Sequence, residues 1–478
     1  MAVLQIPRPV SSPKTSAWEQ LSEYLDGVRA GEPAADFEVF EHELHRMFAA
    51  AEAEAVGEAL ERFDIDVPEV RIDGIRHRRV LRGPETYLTA AGPVVVERSL
   101  YSTRHPGDRA ACPMELGAGV VEGFWTPRTA KQAAWAVAHL VPRECEELFE
   151  LLGGMTPSRS ALDELAKRLS ATWEECRPTF EAGLRDAERV PQEATTVAVS
   201  LDGVMVPMKD GQRQAKRQRA AAEEQHLRGP FGYQEVGCGT LTFYDRRGER
   251  LRTIRMARMP EPKKATLKTQ LTEELTTALA ARPDLRIVKI ADGARDNWNF
   301  LSSDLPPGSE IVDFYHAAEH LHAALAAAYG ETSLKCEEQF VKLRHALRHH
   351  PQGVAKVIRA LAYLRDRHPR SRKIPAELRY FRRNRERMDY ARMAARSQPI
   401  ASGITEAACK TLVTQRMKRS GMRWRHEGGQ AILTLRGWTQ SERFEKGWAI
   451  LADTYKQPVT LPPKVTPLRR PRTLGVSV

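Results

Sequence analysis

A chain of 478 residues, 42% apolar and 28% charged, is too long for one ordinary core and too evenly composed for a disordered one, so about two to four soluble domains are expected. The formal charge of +11 points toward a polyanionic partner, while the longest apolar runs, AAWAVAHLV and HAALAAAYG, fall far short of the roughly 20 residues of a membrane span. Six cysteines with no C-x-x-C pair and an opening stretch without a basic start or apolar core argue against a disulfide framework, a zinc ribbon and a signal peptide, which leaves a cytoplasmic protein with reduced thiols.

Residues 16–62 carry amphipathic helical periodicity interrupted at GEPAAD, and residues 70–102 alternate like short strands with Gly-Pro turns. Together they suggest an N-terminal accessory region over residues 1–110. Helical patterning resumes from Lys131 to about Trp173. There GGMTPSRSALDELAKRL places Thr156 as a helix cap, with Pro157 at the first helical position. CEELFELL, the Gly153-Gly154 turn and the following helix, with Arg159, Lys167 and Arg168, suit a helix-turn-helix, so residues 111–190 are a candidate DNA-binding domain. Many helical hairpins share that grammar.

The middle of the chain has a clearer rhythm. TTVAVSLDGVMVPM, YQEVGCGTLTFYD and ERLRTIRMARM read as three strands, the last two joined by a turn at Asp245–Gly248. A helix (TLKTQLTEELTTALAAR), a buried strand (LRIVKIAD), a further helix and a last strand (EIVDF) follow, which describes a mixed sheet covered by helices. Between residues 341 and 400, 17 Lys and Arg face four acids, a local excess of 17 − 4 = +13 that exceeds the net charge of the whole chain. RDRHPRSRK and RYFRRNRER are almost one-signed, unlike an ordinary solvated helical face. Phosphate contact by Arg382, Arg383, Arg385 and Arg387 is the reading favoured here.

Acidic residues stand at the ends of the apolar runs: Asp202 after VAVSL, Asp292 after LRIVKIA and Asp313 after EIV. One such aspartate is commonly a turn or helix cap. Three in one sheet, two of them followed by glycine, favour a shared carboxylate site. Phosphodiester cleavage and joining can be served by two magnesium ions that stabilise the attacking and leaving oxygens, and magnesium takes hard oxygen ligands with few of them from protein. A further carboxylate from a helix would complete such a site. ASGITEAACKTLVTQRMKRSGMRW supplies Glu406 in the first turn of a predicted helix, followed by Lys410, Arg416, Lys418 and Arg419. Glutamate in a first turn is also favoured by the helix dipole alone.

SLDGVMVPM, VKIADGARDNW, IVDFYHAAEHL, YFRRNRERMDYARM and ASGITEAACKTLVTQRMKRSGMRW, in that order over residues 197–424, resemble bacterial insertion-sequence transposases of the ISKra type, related to Mutator-like elements. The resemblance implies a multidomain α/β protein. Its RNase H-like mixed sheet would be interrupted by a helical insertion and preceded by a mainly helical DNA-binding region. It implies a core over 191–330 and 401–458, a basic insertion over 331–400 and a basic Pro/Arg-rich tail over 459–478. It further implies a DDE transposase with Asp202, Asp292 and Glu406 as catalytic residues and as ligands of two Mg2+ (or Mn2+) ions. Asp313 and His316, in a D-x-x-H motif, would be active-site accessories. Partners would be double-stranded DNA, as element ends and target, and a second copy of the chain in a synaptic complex. No membrane is involved, and the setting would be a bacterial cytoplasm, on the nucleoid when DNA is bound. A catalytically inactive, transposase-derived DNA-binding protein is the alternative, against which the intact carboxylates stand.

Two stretches depart from the family pattern. Family members often carry paired cysteines after the strand matching VVVERSLY, whereas STRHPGDRAAC holds only Cys112. The glutamate motif reads ASGITE rather than a GSG-containing form, with Glu406 in place. HAAEH, residues 316–320, also fits the H-x-x-E-H signature of inverted zinc peptidases. That chemistry needs a third protein ligand, and the sequence singles out none. The resemblance accounts for Asp313 and His316 without zinc and leaves His322 a structural or surface histidine.

Overall fold

The computed structural model describes residues 16–31, 36–103, 105, 107–209, 211–223 and 232–462, with backbone only for 211–216. Most of the basic tail, residues 463–478, lies outside the described residues. The chain forms two compact units, residues 1–169 with 448–478 and residues 170–447. No helix among the described residues is long and apolar enough to cross a membrane.

In the first unit, α1 (Ala17–Ala30) starts at a capping box: Ser16 Oγ accepts from Trp18 N at 3.1 Å, and Ser16 N donates to Glu19 Oε2 at 3.0 Å. After α2 (Phe37–Glu61) come β1 (Glu69–Ile72), β2 (Ile75–Thr89) and β3 (Gly92–Ser102). A short return strand, β9 (Val459–Thr460), completes a sheet of order β3-β2-β1-β9. Helices α3 (Pro113–Ala118), α4 (Pro127–His139) and α5 (Pro142–Leu152) follow. Gly153, in the left-handed region at φ 70°, ends α5 before α6 (Arg159–Glu175). The expected cap at Thr156 is displaced by two residues. Ser158 Oγ accepts from Ala161 N at 3.2 Å, leaving Thr156 and Pro157 in the connection.

The second unit, which begins within α6 at Ser170, continues with α7 (Arg177–Asp186) and β4 (Thr196–Pro207). After α8 (Gly211–Ala222) come β5 (Tyr233–Tyr244), β6 (Arg250–Arg258) and α9 (Ala265–Ala281). Then β7 (Arg286–Ala291), α10 (Arg295–Ser303) and β8 (Ser309–Val312) alternate. The sheet order is β6-β5-β4-β7-β8. β4, β5 and β6 form an antiparallel meander, while β7 and β8 run parallel to β4. Asp202 does not end its strand as its place after VAVSL suggests. β4 continues to Pro207 against β5, and only its pairing with β7 stops, at Ser200.

Helix α11 (Phe314–Tyr329) leads into α12 (Leu334–His349), α13 (Gly353–Arg367), α14 (Lys373–Asn384) and α15 (Tyr390–Ala395). Their apolar faces do not form a separate core. Val197, Val288, Leu321, Leu361, Phe381 and Tyr390 belong to one buried cluster running from the sheet into these helices. The chain returns through α16 (Gly403–Ala408), π-helical turns at Cys409–Thr414 and α17 (Gln415–Met417), then α18 (His426–Gln440) and α19 (Phe444–Asp453).

Candidate active site

The three aspartates lie in one row across three parallel strands. Ser200 pairs with Ile290, so Asp202 and Asp292, each two residues on, are level; Ala291 pairs with Val312, so Asp292 and Asp313, each one residue on, are level. Neither glycine after aspartate serves a turn: Gly293 allows the close approach of a ring, and Gly203 lies beneath a movable glutamate side chain. A Cβ on Gly203 would meet the Glu235 carboxylate at 1.8 Å, and one on Gly293 would meet the Tyr380 ring at 2.3 Å. Asp292 is held by Ala294 N at 3.0 Å and Asn297 Nδ2 at 3.2 Å, both donating to Oδ1, while Trp298 Nε1 donates to its carbonyl at 2.6 Å.

Asp313 is completely buried and uses both carboxylate oxygens. Oδ1 caps α11 by accepting from His316 N at 2.8 Å; Oδ2 accepts from Ser402 Oγ at 2.8 Å and from Ser402 N. Ser402 immediately precedes α16, whose first turn carries Glu406. Asp313, His316 and Glu406 thereby each offer a ligand atom within 4.8 Å of the others. Helical irregularity begins three residues later, with the π turns at Cys409, a local form that recurs at functional sites. Cys409 Sγ lies 3.8 Å from Asp202 Oδ2.

Charge crowding marks the group. Burial raises the Asp202 carboxyl above its ordinary range, the N–H of Gly203 opposes this, Asp292 adds to it, and Lys264 and His316 pull it down. Glu406 is raised first by burial and then by Asp313, with His316 opposing and Asp202 and Glu319 adding. The structure therefore brings Asp202, Asp292, Asp313, His316 and Glu406 into one neighbourhood. Its tightest trio includes the two residues expected to be accessories.

HAAEH does not assemble as a zinc motif. His316 joins Asp313 and Glu406, whereas His320 Nδ1 lies 2.6 Å from Glu377 Oε2 and its ring stacks on Tyr380 at 3.7 Å. Among the described residues, His316, Glu319 and His320 form no three-ligand group. His322 packs edge-on against Phe340.

The basic residues divide. Arg159 pairs with Glu146, Lys167 with Asp163 at 2.5 Å and Arg168 with Glu164 at 2.8 Å, so each expected DNA contact on α6 carries an acidic partner. Arg382 and Arg385 are exposed. Arg383 donates to Gly293 O at 3.0 Å, and Arg387 bonds Glu310 at 2.6 Å while lying over the Trp298 ring at 4.3 Å, which engages both with the sheet side of the site. Lys410, Lys418 and Arg419 are exposed. Arg416 departs from the expected phosphate surface: it is 2% exposed and packs over Trp424, because its helical position faces the core shared with Met417.

Sequence reading passed over Ser402, Tyr380, Lys264 and Cys409. Cys409 had a signal, lying three residues after Glu406 on the same helical face. Ser402, Tyr380 and Lys264 reach the site only through tertiary packing.

No protein-family model matches the chain, and no curated protein matches it. Among solved structures, the chain is similar to one described as the Drosophila P element transposase strand transfer complex. The identity is 13%, with 75% of this chain and 84% of that chain covered, at a TM-score of 0.25.

Proposed function

We propose that the protein is a DDE transposase of the ISKra type. Its five-stranded sheet would be an RNase H-like core, cutting DNA at element ends and joining it to target DNA. The observation that carries this reading is the row of Asp202, Asp292 and Asp313 at one level of three adjacent parallel strands, met by Glu406 from a helix. Open α/β sheets bind ligands outside the carboxyl ends of their parallel strands.

The donors fit a hard divalent cation. Asp202, Asp292 and Glu406 offer only carboxylate oxygens, the ligands such an ion takes, and because burial and then neighbouring acids raise Asp202 and Glu406, a cation would relieve the repulsion. Asp202, Asp292 and Glu406 would hold two such ions. When bound, Mg2+ or Mn2+ supplies a nucleophilic water at neutral pH and neutralises charge developing on phosphate oxygens. Asp313, with both oxygens committed to His316 and Ser402, fixes the helix that presents Glu406. His316, with its side chain 39% exposed, would be free to meet the scissile phosphate. Water attack forms a new P–O bond and releases a 3′ oxygen, which takes a proton. That hydroxyl, giving up its proton, would then attack a target phosphodiester in line, forming a new P–O bond as the target's own 3′ oxygen leaves and takes a proton, with the target held close by the exposed arginines of the insertion.

A duplex copied from the DNA flanking the coding sequence, incubated with protein and Mg2+, should be cut at a fixed position. Asp202→Asn, Asp292→Asn and Glu406→Gln should each abolish cutting and leave DNA binding intact, and pairs of these changes should add little. Binding without cutting by the unaltered protein would support the DNA-binding alternative instead.

A further inference from the structure

Two consecutive lysines sit in the left-handed backbone region where β6 gives way to α9: Lys263 at φ 55° and Lys264 at φ 54°. This conformation is unfavourable for a side chain with a Cβ, and two in succession without glycine are unusual. Local strain of this kind persists where the surrounding fold imposes it, and it concentrates at functional sites.

The strained turn carries Lys264 to Glu235 and to the backbone of Asp202. Its stem runs past Gly237, where an added Cβ would lie 3.4 Å from Lys264 Cγ, and Gly237 pairs with Gly203, the residue after Asp202. Its Nζ lies 3.0 Å from Glu235 Oε1 and 3.5 Å from the carbonyl oxygen of Asp202. Glu235 is itself laid across Gly203. The two glycines thus open a trough beside Asp202, filled by one cation and one exchangeable carboxylate. Glu235 keeps about half its side-chain exposure, so the pair is open to competition from an arriving anion.

Resting on the function proposed above, we infer that Lys264 is a substrate-binding residue: its ammonium exchanges Glu235 for a DNA phosphate oxygen beside the carboxylates. The backbone strain is the cost of carrying that ammonium into the site.

Glycine provides the decisive variant, because Lys264→Gly removes the amine and relieves the left-handed backbone together. Lys263→Gly relieves the same strain at the exposed neighbour, and Lys264→Arg restores the charge. Measurements are thermal unfolding, binding of the flanking-sequence duplex in Ca2+ over a range of salt, and cleavage in Mg2+. Lys264→Gly should melt no lower than the unaltered protein, lose about 0.9 from the log–log salt slope and cut at least about tenfold more slowly. Lys264→Arg should recover the slope and most of the cutting. Lys263→Gly should melt higher with slope and cutting unchanged. An unchanged slope in Lys264→Gly overturns the inference. Normal cutting by Asp202→Asn overturns the carboxylate reading instead, while the slope still reports on Lys264. Failure of the unaltered protein to bind the duplex overturns both.

Discussion

Replacing Glu406 with Gln should stabilise the metal-free protein while abolishing its chemistry. Glu406 and Asp313 offer oxygens within 4.8 Å of each other. Two unit charges at that separation repel by about 0.9 kcal/mol in water and by about 3.5 kcal/mol at an effective dielectric of 20. Glu406 is exposed as a residue although its carboxyl is partly desolvated, so the lower figure governs, with His316 opposing it and Asp202 and Glu319 adding to it. Against this, a carboxylate in the first turn of α16 gains roughly 0.5 kcal/mol from the helix dipole. The raised Glu406 carboxyl gives the sign: burial and repulsion together outweigh what favours the charge. Glu406→Gln should therefore gain about 0.5 to 1 kcal/mol in urea denaturation with EDTA. Mg2+ at ten times its dissociation constant should add about 1.4 kcal/mol to the unaltered protein and far less to the variant. Cleavage should fall by several orders of magnitude. A variant less stable than the parent in EDTA, or one that gains equally from Mg2+, refutes the claim that Glu406 is a metal ligand among repelling carboxylates.

Other substitutions separate scaffold from chemistry. Asp313→Ala removes a buried cap and the Ser402 clamp and should cost about 3 kcal/mol in denaturant unfolding; a loss below about 1 kcal/mol contradicts the clamp. In EDTA, the raised Asp202 and Glu406 carboxyls make their contribution to stability greatest in acid and lost as pH rises through their folded values, so the double change to Asn and Gln should flatten that part of the pH–stability curve. Changing exposed Arg382 and Arg385 to Ala should lower the salt slope of duplex binding by about 1.8 without loss of stability, whereas Arg387→Ala should cost about 1 to 2 kcal/mol through Glu310 and Trp298, both read by the same two assays.

What could be read in the sequence was whatever local pattern enforces. The apolar runs VAVSL and LRIVKIA and the Asp245–Gly248 turn specify β4, β7 and the β5–β6 connection before any tertiary contact is considered. The carboxylates were visible because each follows a buried run, and a parallel sheet brings such positions to one edge. The cap of α6 was misplaced because Thr156, Pro157 and Ser158 offer competing start signals, and only the actual bond to Ala161 N chooses among them. Charge counting found the basic segment, yet it could not distinguish exposed Arg382 from Arg387, which is consumed by Glu310, or foresee that Arg416 faces inward. Side-chain direction on a short helix depends on what packs beneath it, which composition does not encode.

The placement of Glu406 after so long an excursion follows from how the excursion is closed. Phe314 N donates to Ile400 O at 3.0 Å, and Asp313 grips Ser402, so the chain leaving β8 and the chain entering α16 are bonded 89 residues apart in sequence. The intervening helices do not hang from this neck as a free lobe. Tyr380 packs on Gly293, Arg383 bonds the Gly293 carbonyl, His320 meets Glu377, and Arg387 reaches Glu310. Three of these four contacts fall within two residues of Asp292 or on the strand leading to Asp313. Any shift of α14 would therefore act on the backbone carrying Asp292 at the same time as it strained the neck that fixes Glu406. Two of the proposed ligands are thus tied through one set of helices, and those helices also carry the exposed arginines proposed to meet DNA. Arg382 and Arg385, proposed to meet phosphate, thus lie within or directly after the helix whose Tyr380 and Arg383 hold Gly293, the residue after Asp292.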